Sequence, residues 1–263
     1  MKYVLVTGAY GGMGYCAVRA LREKGYFVFA LDRKVKDAED GVMPIEADLT
    51  DIRAIESAFE KVKEITEELY AIVHFAGMYN LDSLIEISEE NFTRIFNVNV
   101  FASYRVNKVF LPLLKEGSRI VITTSELAPL EPLPFTGIYA ITKAALDKYA
   151  YSLRMELQLL GINVCVLRPG AVKTDMLGIS ISALDRFCDN TKLYSCNAKR
   201  FKNIVESVEA RNVKAEKIGT KTAKILEAKH PRQVYNVNRN PLLLLLNALP
   251  KRLATFIIKI ILK

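Results

Sequence analysis

Short apolar runs and longer amphipathic segments alternate along the chain. Residues 3–6, 26–31, 69–74, 119–124 and 162–167 are continuous runs of strand length, rich in β-branched and aromatic side chains. Residues 43–47 and 233–237 are weaker strand candidates. Between them, 13–24, 52–66, 89–114 and 139–160 carry apolar positions at helical spacing. Strands alternating with helices imply right-handed crossovers and a parallel sheet. Because the strand runs are continuously apolar, both faces of that sheet must be covered. The expected fold is α/β, a doubly wound parallel sheet with helices on both faces.

No internal repeat and no Pro/Gly/Ser linker divides the chain, so residues 1–263 are expected to form a single domain. An excursion at about 175–205 reads as a helical lid over a substrate. A hydrophobic tail follows at 241–263. With 51% hydrophobic and 25% charged residues, wholesale disorder and fibrous structure are excluded. Four scattered cysteines and two histidines offer no disulfide framework and no zinc spacing. No metal is expected, and reduced thiols point to the cytoplasm. The N-terminus enters a strand and a glycine turn at once, unlike a secretory signal. No apolar run reaches the roughly 18 residues that a spanning helix needs.

Charge changes the picture at one end. Residues 199–263 hold 15 basic and 4 acidic side chains, whereas the rest holds 22 and 25. In the tail Asn247, Lys251, Thr255, Lys259 and Lys263 recur every four residues, a narrow polar stripe on an otherwise apolar helix interrupted by Pro250. Such a helix packs on the body or a second subunit, or lies in a membrane interface as a peripheral anchor. Tail charge alone is too weak a signal for nucleic acid, and none is expected as a partner.

After the first strand stands Thr7-Gly8-Ala9-Tyr10-Gly11-Gly12-Met13-Gly14. A strand feeding a glycine turn that opens a helix is what a dinucleotide site requires. Glycine allows close approach of pyrophosphate, and the helix N-terminus offers free N–H groups. Gly8, Gly12 and Gly14 give one spacing; Gly8, Gly11 and Gly14 give another. The second strand ends at Asp32-Arg33. A carboxylate there accepts from ribose hydroxyls and repels a 2′-phosphate, which favours NAD over NADP; Arg33 is the opposing signal. Asp48 and Leu49 follow the third strand, where they cap a helix or meet the adenine.

Tyr139 and Lys143 lie four apart on one helix face. A free tyrosine has a pKa of about 10, too high to act as a base near neutrality, and a nearby cation together with the positive nicotinamide of an oxidised cofactor is expected to lower that value. Ser125 stands fourteen positions upstream, just past a strand end, where open parallel sheets bind ligands. Its hydroxyl can hold a substrate oxygen as donor or acceptor.

Thr7-Gly8, Gly12-Met13-Gly14, Asp32, Asp48, Ala76-Gly77, Asn99, Ser125, Tyr139, Lys143 and Pro169-Gly170 with Thr174 occur in the order of the short-chain dehydrogenase/reductase family, which the chain resembles over about two thirds of its length. The resemblance implies a Rossmann-type fold and an NAD(P)-dependent oxidoreductase interconverting a secondary alcohol and a ketone, nearest the hydroxysteroid and retinol types. It implies Tyr139 as acid/base, Lys143 as ribose holder, Ser125 as orienter of the substrate oxygen, and Asn99 as part of a water-linked relay built on a bent helix. It assigns Thr7, Gly8, Tyr10, Gly12, Met13, Gly14, Asp32, Arg33, Asp48, Leu49, Ala76 and Gly77 to the cofactor. Tyr139, Lys143, Pro169, Gly170, Val172 and Thr174 would meet its nicotinamide end. It favours the spacing Gly8, Gly12, Gly14, and a homodimer or homotetramer.

Two segments depart from the family pattern. His74-Phe75 replaces the usual Asn-Asn before Ala76-Gly77, and His74 reads as a strand-end hydrogen-bonding residue. The loop after Ser125 is proline-rich and apolar. Leu130, Leu133, Phe135, Met176, Leu177, Ile179, Ile181, Leu184 and Phe187 either line a site for a steroid-, retinoid- or lipid-like substrate or pack the lid. Alternatives are an NADPH-linked reductase of 3-oxoacyl type and a non-catalytic NAD-binding sensor on the same fold.

Overall fold

The computed structural model describes residues 1–209 and 211–263, with backbone alone at 175–181 and 207–209. In chain order the elements are β1 (Lys2–Thr7), α1 (Gly12–Glu23), β2 (Tyr26–Asp32), β3 (Val42–Glu46), α2 (Ile52–Lys63), β4 (Leu69–His74), α3 (Glu89–Phe96), α4 (Ala102–Phe110), β5 (Leu114–Thr123), α5 (Gly137–Leu157) and β6 (Asn163–Pro169). There follow β7 (Val172–Lys173), α6 (Asp175–Asn190), α7 (Ser195–Glu209), β8 (Val213–Lys214), α8 (Glu216–Glu227), β9 (Val234–Val237), α9 (Pro241–Ala248) and α10 (Lys251–Leu262).

Seven strands form one sheet in the order β3-β2-β1-β4-β5-β6-β9, every pairing parallel. The order reverses at β1, which pairs with β2 on one side and β4 on the other. A crevice opens at such a reversal, beyond the carboxyl ends of the strands. Both faces are covered, as the continuous apolar runs require. Leu5, Ile72, Ile120 and Val166 pack with α2, α4 and α5, through residues such as Ile55, Phe110 and Leu146. Val4, Val73, Val121 and Leu167 pack with α1 and α8, through Leu21, Ile218 and Leu226. The α/β, doubly wound architecture is therefore the one expected.

Three details differ from the sequence reading. Residues 89–114 are not one helix: a π-helical turn at Asn97–Phe101 separates α3 from α4, and a 3-10 turn at Leu111–Leu113 ends the segment. The π turn carries the buried Asn99 and bends the helix. β5 begins at Leu114, earlier than the apolar run, because Ser118 Oγ donates to Leu69 O and accepts from Lys115 N. α8 is an element beyond those expected. Its Gly219 lies so close to α1 that an added Cβ would stand 2.3 Å from Cys16 O. The tail breaks into α9 and α10 at Pro250.

The excursion is α6 followed by α7, and one face of α10 closes on it. Leu184, Phe201 and Leu262 are buried together with Leu81, and Asn197 Nδ2 donates to Leu262 O at 2.6 Å. The opposite side of the tail leaves Leu242, Leu245, Leu253, Phe256, Ile260 and Ile261 exposed. Of the stripe, Asn247 Oδ1 accepts from Glu131 N at 2.6 Å and Lys251 pairs with Glu131 at 2.7 Å. No helix among the described residues is long and apolar enough to cross a membrane.

Candidate active site

Two cavities adjoin along the carboxyl ends of the strands. The larger, about 1070 Å³, is lined by the glycine turn, Asp32, Arg33, Asp48, Leu49, Ala76 and Gly77. The smaller, about 170 Å³, is lined by Ser125, Tyr139, Lys143, Pro169, Gly170 and Val172. Met13, Phe75, Gly77, Met78 and Thr174 belong to both, so one continuous crevice joins them. Every residue assigned above to a cofactor reaches one cavity or the other, except Thr7. That assignment is corrected. Thr7 ends β1 inside the sheet, fully buried, with its Oγ1 3.5 Å from His74 Nδ1.

The turn is built by steric necessity. Gly8 has φ +65°, and an added Cβ would lie 2.5 Å from Ala76 N. At Gly12 it would meet Thr174 Cβ at 2.6 Å, and at Gly14 it would meet Gly8 O at 2.0 Å. Gly11 has room, with Gly8 O 3.5 Å away. The turn needs glycine at 8, 12 and 14. Because α1 starts at Gly12, its first N–H groups have no partner earlier in the helix, where a phosphate is favoured. A bare backbone cradle, a helix start and a cavity of this volume fit a dinucleotide.

Asp32 is held rigidly: Oδ2 accepts from Tyr10 N at 2.9 Å and Oδ1 from Arg33 N at 2.7 Å. Lys34 lines the cavity beside it. Asp48 serves its turn, with Oδ1 accepting from Thr50 N at 2.8 Å and Thr50 Oγ1 at 2.7 Å, which pulls its carboxyl below the usual range. The cap of α2 is Asp51 instead.

Tyr139 and Lys143 lie in the first two turns of α5, both buried. Asp147, one turn further, anchors the helix through two bonds to Arg168 of β6, at 2.9 and 2.6 Å. Ser125 shares a hydrogen bond with the Tyr139 phenol and accepts from Leu127 N at 3.2 Å. Lys143 Nζ donates to Thr123 O at 3.2 Å and stands 5.7 Å from the centre of the Tyr139 ring. Ser125, Tyr139 and Lys143 are thus brought together at one cavity wall.

Asn99 is not on either wall. Its side chain is fully buried, accepts from Met78 N at 2.7 Å, and donates to Met78 O and Thr142 Oγ1, both at 3.0 Å. Thr142 Oγ1 donates in turn to Tyr139 O at 2.8 Å. Asn99 thus positions the Met78 loop and the start of α5 and touches no ligand space with its side chain.

In the chain by itself, burial dominates the electrostatics of this pair. Burial pushes the Tyr139 phenol up to about 12, with the Ser125 hydrogen bond acting against it. Burial brings Lys143 down to about 8. Desolvation governs both groups, and the ammonium donates to Thr123 O. At neutral pH the phenol therefore keeps its proton while the amine is still cationic. That is a proton donor beside a cation ready to stabilise the phenolate left behind.

His74 is no catalyst. It is buried and held down to about 4, hence neutral, with Nε2 donating to Asn107 Oδ1 at 2.8 Å. Among the lid candidates whose side chains are described, only Leu133 reaches the smaller cavity. Phe135, Leu184 and Phe187 pack within the lid, and Leu130 reaches neither cavity. The side chains of Met176, Leu177, Ile179 and Ile181 lie outside the described residues. The sequence reading missed Met78, Tyr79, Glu126, Phe201, Ile204, Val205 and Leu243 on the smaller cavity. Residues 201, 204 and 205 carry a helical i, i+3, i+4 signal that could have marked one face.

The short chain dehydrogenase family model matches residues 2–183. The chain belongs to the short-chain dehydrogenase family. It is 34% identical over 191 residues to the mouse protein named estradiol 17-beta-dehydrogenase 2, an alignment covering 67% of this chain and 50% of that one. The chain thus spans about half the length of that relative. With the 3-ketodihydrosphingosine reductase of Bacteroides thetaiotaomicron it shares 26% identity, over 88% of this chain and 85% of the other. A short chain dehydrogenase family protein from Francisella tularensis superposes with a TM-score of 0.75 at 23% identity, over 90% of this chain and 97% of that one.

Proposed function

We propose that the chain is an oxidoreductase that interconverts a hydrophobic secondary alcohol and its ketone, with NAD(H) as its cofactor. The observation that carries this reading is the Ser125–Tyr139–Lys143 group on the wall of an otherwise mainly apolar cavity that opens into the cradle of the glycine turn. When bound, the dinucleotide supplies or accepts hydride. Gly8, Gly12 and Gly14 leave room for its pyrophosphate, and Asp32 receives the ribose hydroxyls. Ala76, Gly77, Pro169, Gly170, Val172 and Thr174 wall the nicotinamide end. Ser125 holds the substrate oxygen. Tyr139 donates its phenolic proton to that oxygen in reduction and takes it back in oxidation, and Lys143 stabilises the phenolate between the two.

Two relatives support a hydrophobic substrate, one named an estradiol dehydrogenase and the other a 3-ketodihydrosphingosine reductase. A second reading, preference for NADPH, rests on Arg33 and Lys34, which line the cavity next to Asp32. Turnover of long-chain and steroid ketones with NADH and with NADPH decides between them. The expected result is at least a tenfold advantage for NADH, because Asp32 faces any 2′-phosphate. The reverse preference removes Asp32 as the discriminating group, and no turnover of any hydrophobic ketone removes the substrate class.

The tail supports contact with an anionic lipid surface. Its exposed apolar side chains sit among Lys251, Arg252, Lys259 and Lys263, and residues 241–263 contain no acid. A face with Phe101, Tyr104, Tyr151 and Met155 exposed supports self-association as a homodimer or homotetramer. Liposome flotation and light scattering check both. Binding to anionic vesicles is expected to weaken at least tenfold in Phe256→Glu/Ile260→Glu, and equal binding by that variant excludes the tail as the contact.

A further inference from the structure

Three buried side-chain polar atoms among the described residues have no hydrogen-bond partner: Arg105 Nη1, Arg119 Nε and Thr123 Oγ1. The two arginines keep other bonds, from Arg105 Nη2 to Asn97 Oδ1 at 3.3 Å and from Arg119 Nη1 to Ile225 O at 2.8 Å, and neither lines a cavity of the crevice. Thr123 differs on both counts. Its hydroxyl is the one polar group its side chain has, and the residue lines the smaller cavity although it is only 5% exposed. No step of the reaction uses it.

Thr123 is the last residue of β5. Side chains alternate along a strand, so 121, 123 and 125 share one face and 122 and 124 take the other. Val121 packs on the side of α1 and α8, whereas Thr124 Oγ1 turns to Asp147 of α5 at 3.3 Å. The chain stays extended beyond β5, because Thr124 N and Glu126 N donate to Leu167 O and Pro169 O, each at 2.9 Å. Thr123 therefore stands on the wall that carries Ser125, two residues deeper. Opposite it on β6 is Leu167, apolar and fully buried. Shape does not account for a threonine here. Valine, as at 121, has the same outline and no hydroxyl to desolvate, and a buried hydroxyl without a partner costs stability.

The surroundings indicate what completes it. Lys143 Nζ donates to the carbonyl of Thr123 itself at 3.2 Å, at the junction of the two cavities. A hydrophobic ketone brings one oxygen, which Ser125 and Tyr139 already hold. The nicotinamide half of a dinucleotide brings several, on its ribose and its carboxamide. We propose that Thr123 Oγ1 is a binding group for that half of the cofactor, donating to one of those oxygens beside Lys143. This rests on the oxidoreductase reading above. One atom then trades stability for affinity: the hydroxyl weakens the free chain and is satisfied when the dinucleotide is bound.

The test needs no turnover. It reads the thermal midpoint of the full chain without ligand, and its affinity for NADH and for ADP by fluorescence titration, in wild type, Thr123→Val, Thr123→Ser and Thr123→Ala. Thr123→Val is expected to raise the ligand-free midpoint by about 3 °C, since it removes an unpartnered hydroxyl at constant shape. It is expected to weaken NADH about tenfold, the worth of one hydrogen bond, and to leave ADP, which lacks the nicotinamide half, unchanged. Thr123→Ser keeps the hydroxyl and is expected to bind NADH within about threefold of wild type. If Thr123→Val fails to fold, Thr123→Ser against Thr123→Ala makes the same comparison of hydroxyl with none. Three results overturn the proposal: NADH affinity that survives loss of the hydroxyl, ADP weakened as much as NADH, or a midpoint that falls in Thr123→Val. In each of them the oxidoreductase reading stands. A wild type that binds no dinucleotide overturns that reading and this proposal together.

Discussion

Phenylalanine at position 139 is expected to lower kcat for ketone reduction about a thousandfold, with cofactor affinity changed by only a few-fold. The substitution removes one oxygen and keeps the ring, which packs edge-on against Tyr79 with centroids 4.6 Å apart. The fold should therefore persist. What is lost is the proton donor. Burial raises the phenol to about 12, so near neutrality it is fully protonated. Ser125 remains, but an aliphatic hydroxyl is a far weaker acid than a phenol and cannot take over that transfer. The measurement is steady-state kcat on a hydrophobic ketone, beside a fluorescence titration with the cofactor. Activity within tenfold of wild type would remove Tyr139 from the acid/base role.

Methionine at position 143 is expected to cost about as much in kcat/KM, but with a different signature. Lys143 Nζ has Thr123 O as its hydrogen-bond partner at 3.2 Å, and a Cβ placed on Gly77 would stand 3.5 Å from it. The ammonium thus lies at the junction of the two cavities. Methionine fills the same volume without the charge. The phenolate formed as Tyr139 gives up its proton then has no cation beside it in a poorly solvated place, a loss of about 100- to 1000-fold. Cofactor affinity should fall as well, unlike in Tyr139→Phe. Equal cofactor affinity in both variants would separate Lys143 from the cofactor end of the crevice.

Much of the architecture was legible because burial on both faces leaves a plain mark. The runs at β1, β2, β4 and β6 are apolar at almost every position, and the sheet places them side by side. Ser125, Tyr139 and Lys143 were legible because helical spacing and a strand end determine where such residues must lie. Other features left no local mark. The π turn at Asn97–Phe101 inserts one residue without disturbing the apolar pattern, and the bonds from Asn99 to Met78 become visible only in three dimensions. Thr7 looked like part of the glycine turn, but the pleat sends its side chain into the sheet toward His74. The contribution of burial to Tyr139 was not legible, because sequence spacing reports a nearby charge and not the depth of burial. Glu126 was missed because its bond to Asn240 joins positions 114 apart. The lid was legible as a segment only. Which of its faces meets the cavity is set by α10 docking on α7.

The central claim is that a protonated Tyr139 delivers the proton while a cationic Lys143 stands beside it. The pH dependence of kcat/KM for ketone reduction tests this most directly. Tyr139, raised to about 12, stays protonated across the accessible range, whereas Lys143, lowered to about 8, loses its charge as the pH passes through that value. The expected profile is level from about pH 6 to 8 and falls tenfold per unit above it. In Lys143→Arg, where the cation does not titrate, the level part is lower and the fall is absent. A wild-type profile that climbs between pH 6 and 9, or a fall that survives in Lys143→Arg, would contradict the assignment.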